Sequence, residues 1–245
     1  MRNIKLILAY DGTTYHGFQR QANAMTIQQL VEERLAKLFG HPLKLAGSAR
    51  TDAGVHAYGQ VVNFYTQGTI PTERIALAAK GLLPADIVVV SADEVAPEFH
   101  ARRSAKGKIY RYRLLNTRLA NPFERNYAWH FAAKLDAVIM HEAAQAIVGT
   151  HDFSAFRAAG GAPVSPVRTI MTAACRYIGE SVIEFEFCGT GFLYHMVRNL
   201  VGTLVKVGQH RLTPDGFANV LAGRDRHAAG VTAPPQGLYL VEVKY

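Results

Sequence analysis

Cysteine is nearly absent: the 245 residues hold two, Cys175 and Cys188. Each lies in its own strand-like run with no second cysteine at metal-ligand spacing, so reduced, buried thiols are expected rather than a disulfide or a zinc site. Long apolar runs are missing too, and none reaches the length of a bilayer-spanning helix. The opening stretch MRNIKLILAYDGT has too short an apolar part for a signal peptide and no small-residue cleavage site. A cytoplasmic protein with no membrane partner is therefore expected. Acid is the other scarcity: 19 Asp and Glu face 27 Lys and Arg, for a formal charge of +8. That balance points to a polyanionic partner, nucleic acid foremost. What is plentiful is apolar, at 49% of residues, which excludes a disordered chain and allows one large domain or two small ones around a sizeable core.

The cations cluster. Arg102, Arg103, Lys106, Lys108, Arg111, Arg113 and Arg118 follow one another with no acid between them. A solvated basic face is the plain reading. Tyr110 and Tyr112 sharpen it, because a tyrosine ring stacks on a base while adjacent cations hold phosphates. Strand alternation over 108–113 puts Lys108, Tyr110 and Tyr112 on one face, with Arg111 and Arg113 on the other.

Periodicity predicts a strand at 4–9, a helix from the cap Thr26 to about Phe39, short strands at 43–46 and 59–65, a helix with Pro71 in its first turn reaching about Gly81, and a strand at 87–93. The order is β-α-β-β-α-β. Downstream, a strand at 108–115, a helix at about 135–147, a hairpin of strands 168–178 and 181–188 through Gly179-Glu180, a helix from about Phe192 to Val207, a short helix near 214–221 and a strand at 238–245 nearly repeat it. The expected fold is α+β, with two pseudo-repeated halves, 1–105 and 106–245, forming a largely antiparallel sheet with a central active-site cleft. This rests on element order, since sequence identity between the halves is negligible. The segment 158–162 reads either as a substrate-gripping flap or as a plain flexible connection.

Three familiar motifs start and fail. Gly189-Thr190-Gly191 follows a strand and opens a helix but lacks the third glycine of a dinucleotide fingerprint. His141-Glu142 begins a zincin-like motif, and Gln145 occupies the second ligand position. No GxSxG or Cys-His signature marks an acyl-transfer site. Three segments remain that folding alone does not require. Within GSARTDAGVHAYGQVVNF (47–64), Arg50-Thr51-Asp52-Ala53-Gly54-Val55-His56 fits a backbone pinched around a presented carboxylate, with a capped turn as the bland alternative. The second is Lys108 to Arg113. In the third, 191–199, Arg198 sits in an otherwise apolar helix; a buried arginine needs a carboxylate, and Asp52 is the candidate.

Asp11-Gly12-Thr13, Tyr15, Gly17-Phe18-Gln19, the run Arg50 to Ala57, Phe99-His100-Ala101-Arg102, Lys108-Ile109-Tyr110, Gly191-Phe192-Leu193, Met196-Val197-Arg198 and Ala233 to Leu238 resemble, in order and spacing, the tRNA pseudouridine synthase A family. The resemblance spans essentially the whole chain. It departs at Ala49, where the family often has glycine. The resemblance implies the pseudouridine synthase fold and an isomerase that converts uridine to pseudouridine at positions 38, 39 and 40 of the tRNA anticodon stem-loop. It implies that Asp52 is the nucleophile, that Arg198 pairs with it, that Tyr110 contacts the target base, and that Arg50 helps replace or hold the extruded nucleotide. A homodimer with tRNA across both subunits is implied as well. Nothing is oxidised or hydrolysed overall, so neither a metal nor an organic cofactor is expected. Arg102, Lys108, Arg111 and Arg113 are the candidate RNA contacts. A fixed cation beside an enclosed aspartate opposes its neutralisation. A non-catalytic tRNA-binding protein is the alternative; it explains the charge and the tyrosines but not Asp52 with Arg198.

Overall fold

The computed structural model describes residues 1–161 and 163–245. The chain folds as two compact units, Met1–Lys106 with Tyr239–Tyr245, and Gly107–Leu238. Ala162, part of the segment read as a flap or a connection, lies outside the described residues.

The first unit runs β1 (Arg2–Tyr10), α1 (Ile27–Phe39), β2 (Ala46–Gly47), β3 (His56–Thr66), α2 (Thr72–Lys80) and β4 (Ile87–Val95). β1 lies between β3 and β4, antiparallel to both. Its alternation sends Ile4, Leu6, Leu8 and Tyr10 inward. α1 carries Ile27, Val31, Leu35 and Phe39 four residues apart, all buried. Thr26 starts it by accepting the Gln29 N–H on its hydroxyl, and Gly40 ends it in the left-handed region at φ 73. The strand expected over 43–46 shrinks to Ala46 and Gly47, which pair with Asn63 and Val62. Leu43 and Leu45 are buried without pairing, so the apolar alternation there reports burial alone. Pro71 caps α2 in an extended conformation instead of entering its first turn.

The second unit runs β5 (Gly107–Leu115), β6 (Trp129–His130), α3 (Ala137–Ala144), β7 (Gly149–Asp152), β8 (Val167–Ile178), β9 (Val182–Gly189), α4 (Met196–Gly208) and α5 (Pro214–Gly223). The strands are ordered β5-β9-β8-β7, antiparallel throughout, and β6 adds in parallel to β5. The β8–β9 hairpin turns at Gly179, φ 63. The helix expected over 135–147 is α3 followed by a short 3-10 turn, Gln145–Ile147. α4 is buried on nearly every face. Gly202 lets another segment cross it, since a Cβ there would stand 1.8 Å from the Val231 carbonyl oxygen. α4 begins four residues later than periodicity suggests, because His195 adopts a left-handed conformation at φ 58.

The last strand, β10 (Leu238–Lys244), joins the first unit by pairing in parallel with β3, Tyr239 opposite His56 and Leu240 opposite Ala57. Read in sequence it closes the second half, because a strand's alternation carries no information about its partner. Most strand pairs are antiparallel, and the α+β class stands. Cys175 and Cys188 are buried and unbridged. No described helix is long and apolar enough to cross a membrane.

Candidate active site

In the first unit the loop from β2 to β3 rests on a buried polar floor. Gln60 is a fully buried polar residue within β3. Its carboxamide reads both sides of Ala49: the Ala49 N–H donates to Oε1 at 3.2 Å, and Nε2 donates to the Ala49 carbonyl at 2.7 Å. Two backbone partners of opposite kind fix which end of the amide is oxygen. The same oxygen accepts from Ser48 Oγ at 2.7 Å. Ala49 is not among the residues at positive φ, so the alanine that departs from the glycine pattern brings no backbone strain.

Thr51 is buried, and its Oγ1 lies 2.7 Å from the Tyr10 hydroxyl. Its carbonyl accepts the Phe18 N–H at 3.0 Å. The Asp52 carbonyl accepts the Val55 N–H at 3.2 Å, closing a tight turn through Ala53 and Gly54, the latter at φ 75. With Thr51 anchored inward, Arg50 and Ala53 are exposed and Asp52 is half-buried. The segment 11–19 lines the other side of this loop. Gly12 packs so closely that a Cβ would stand 2.0 Å from the Val55 carbonyl oxygen, and its N–H donates to His56 Nδ1 at 3.1 Å. Phe18 lies against Gly47 and roughly parallel to the Tyr10 ring, 6.4 Å between centroids. Two motifs far apart in sequence thus form one layered structure beneath Asp52.

Two residues of that layer, Tyr10 and Gln60, escaped the sequence reading, and His56 was read only as the end of the Arg50–His56 run. His56 is buried, 3.1 Å from Asp11 Oδ1, and its ring stacks on Tyr239, which stacks in turn on Tyr58. The available signal was Gln60, an amide that with Asn63 breaks the apolar run of β3. Burial pushes the Tyr10 phenol above its ordinary range, so it stays protonated as a hydrogen-bonding hydroxyl.

In the second unit Tyr110 is buried in β5, its ring meeting Phe192 edge-on at 5.0 Å and 78°. Tyr112 is fully buried and donates to the Pro234 carbonyl at 2.8 Å. Burial raises its phenol well above the usual value, opposed by the positive charge of Arg198. Arg198 is the third residue of α4, half-buried, with Nε donating to the Ala233 carbonyl at 2.7 Å. A helix N-terminus is the positive end of the macrodipole, so the helix itself does not account for an arginine there.

Arg111 and Arg113 lie on the opposite face of β5, held by acids. Arg111 meets Glu186 at 3.0 Å and Glu184 at 3.3 Å, and Arg113 meets Glu124 at 3.5 Å. Glu184 is also held by Arg176 at 2.9 Å. Lys108 is half-buried, whereas Arg102, Arg103 and Lys106 are exposed in the first unit. The structure therefore keeps Arg50 and Asp52 together in one loop of the first unit, and Tyr110, Tyr112 and Arg198 in the second.

Residues 6–102 and 143–245 match a family model described as tRNA pseudouridine synthase. A tRNA pseudouridine synthase A of Thermoanaerobacter sp. (strain X514) is 46% identical over 245 residues, covering all of both chains. One of Geotalea uraniireducens (strain Rf4) is 47% identical over 245 residues with the same full coverage. One of Moorella thermoacetica is 46% identical over 244 residues, 99% of each chain.

Proposed function

The chain belongs to the tRNA pseudouridine synthase family, isomerases that act on tRNA, and on that premise we propose that it converts uridine to pseudouridine at positions 38, 39 and 40 of the anticodon stem-loop, with Asp52 as the nucleophile. The C1′–N1 bond breaks, the uracil turns, and C1′ bonds to C5; the C5 proton leaves and N1 gains one. Atoms and oxidation states balance within the nucleotide, so the chemistry calls for no co-reactant. Attack on C1′ of the ribose or on C6 of the base requires a carboxylate held at one place and kept ionised.

The observation that supports this reading is the clamped loop. The carbonyls of Ala49, Thr51 and Asp52 are each engaged by a defined donor, and the Thr51 side chain is anchored in the interior. A turn serving only to connect two strands has no need of a buried amide and a buried phenol beneath it. Tyr110, its ring fixed by Phe192, is the proposed base contact, and Arg198 the cation that serves the nucleophile. Arg50 is the residue proposed to hold or replace the extruded nucleotide, since an internal base must leave its stack at a cost of a few kcal/mol. Exposed Arg102 and its neighbours Arg103 and Lys106 suit phosphate contacts. The reading carries with it a homodimer in the cytoplasm with tRNA lying across both subunits, as the resemblance implies.

Incubating the purified protein with tRNA carrying tritium at uridine C5, then mapping pseudouridine, tests it. Tritium release with new pseudouridine at 38 to 40 is expected from the wild type. Asp52→Asn, which keeps shape but is not a competent nucleophile, is expected to bind tRNA and release no tritium. Binding without any release by the wild type would leave a tRNA-binding protein instead.

A further inference from the structure

We infer that Tyr10 is a positioning residue for Asp52: its hydroxyl, seated beside the Gln60 carboxamide, holds Thr51 and through Thr51 the carboxylate one residue on. The inference rests on the reading of Asp52 as the nucleophile.

Gln60 Oε1 is taken by Ser48 and Ala49, and one Nε2 hydrogen by the Ala49 carbonyl. The Tyr10 hydroxyl lies 2.7 Å from Thr51 Oγ1, a hydrogen bond in which either oxygen can be the donor. Tyr10, Gln60, Ser48 and Thr51 are all buried, so solvent does not compete for these bonds. Tyr10 ends β1 just past a register irregularity: Leu8 pairs with Gln60, but Tyr10 pairs with Ala57. That shift brings the end of β1 beneath the loop.

The ring itself is held by Phe18, so the hydroxyl is separable from the packing. Tyr10→Phe removes only that oxygen and leaves the Thr51 hydroxyl without its partner. Thr51→Val removes the other oxygen with little change of shape. Single-turnover tritium release, tRNA affinity and the urea midpoint are measured for Tyr10→Phe, Thr51→Val and the double variant. Misplacing a reacting group by an ångström costs on the order of a hundredfold, so Tyr10→Phe is expected to slow turnover by about tenfold or more with tRNA affinity unchanged. In the double variant two apolar partners meet, and most of the lost urea midpoint is expected to return. The rate is expected to stay low, because the hydrogen bond that orients the Thr51 side chain is still missing.

A role confined to stability predicts the reverse: the double variant would regain its rate together with its midpoint, and that result overturns the inference. So does a Tyr10→Phe variant at wild-type rate while Asp52→Asn is inactive. Turnover by Asp52→Asn would instead remove the nucleophile itself, a failure distinguishable from this one.

Discussion

Gly17 lies beneath the carbonyl of Thr51, at φ 86, so close that a Cβ on Gly17 would stand 2.7 Å from that oxygen. The same Cβ would meet the Ala53 nitrogen and the Asp52 carbonyl carbon at 3.2 Å. Glycine is required here twice over, once for its conformation and once for its lack of a side chain.

Gly17→Ala is therefore expected to push directly on the residues that carry Asp52. The left-handed conformation alone costs an alanine about 1–2 kcal/mol. Displacement of Thr51 adds to this, so the urea midpoint should drop, and turnover should fall further than tRNA affinity. Wild-type turnover in Gly17→Ala would mean that Asp52 tolerates movement of its own backbone.

Affinity for tRNA is expected to weaken steeply with salt, by roughly 0.7 to 0.9 in log–log slope for each phosphate contact. Arg102→Gln with Arg103→Gln should flatten that slope by about one to two. Arg111→Gln is the contrast. Its guanidinium is already balanced by Glu184 and Glu186, so its loss leaves a largely buried Glu184 with Arg176 as its remaining ion-pair partner and should lower stability more than it changes the slope. Should Arg111→Gln flatten the slope while the Arg102 and Arg103 changes do not, the RNA surface belongs on β5.

Alkaline pH is expected to destabilise the fold. Burial pushes the Cys175 thiol up to about 12 and raises the phenols of Tyr10 and Tyr112. Above the ordinary thiol value of 9.0 the unfolded chain releases the Cys175 proton while the native chain keeps it. The unfolded state then binds fewer protons, and stability falls as pH rises, at up to about 1.4 kcal/mol per pH unit for each such group. Urea midpoints from about pH 8 to pH 11 should decline, and Cys175→Ala should flatten the decline. A Cys175→Ala profile identical to that of the wild type would mean the thiol ionises in the fold as readily as in the unfolded chain.

The sequence reading succeeded where a local signal exists. Thr26 before an apolar stripe and Gly179-Glu180 between alternating runs mark a helix start and a hairpin, and both are found. The start of α4 was misread because Phe192 and Leu193 continue the apolar spacing of Met196, Val197 and Leu200, while the left-handed turn at His195 has no compositional mark. β7, Gly149–Asp152, contains no apolar side chain to reveal it. The loop carrying Asp52 was legible as a polar interruption between strands. Its support was not, because Tyr10 and Gln60 are single residues whose partners lie some forty and ten positions away. Arg111 and Arg113 looked like phosphate contacts because the acids that hold them come from β9 and from residue 124, beyond the reach of a local charge count.

Arg198 separates the catalytic reading from a structural one most sharply. Its main chain and side chain both bind Ala233: the Ala233 N–H donates to the Arg198 carbonyl at 3.1 Å, and the Ala233 carbonyl accepts from Arg198 Nε at 2.7 Å. If anchoring this crossing segment were its whole purpose, Arg198→Met would keep the backbone bond, lose the Nε bond to Ala233 and remove a cation from the unfavourable end of the helix dipole. Methionine also suits a helix with apolar neighbours, so such a variant should be nearly as stable and nearly as active as the wild type. If Arg198 serves the nucleophile, the same change removes the one charge the chemistry needs, and single-turnover tritium release should fall by about a hundredfold or more with tRNA affinity little changed. Arg198→Lys keeps a positive charge but not the planar fork that bonds Ala233 while presenting its other nitrogens elsewhere. It should therefore be slow, though faster than the methionine variant. The order arginine, lysine, methionine in rate, at similar urea midpoints, is the signature of a charge placed for chemistry, and a methionine variant at wild-type rate removes Arg198 from the mechanism.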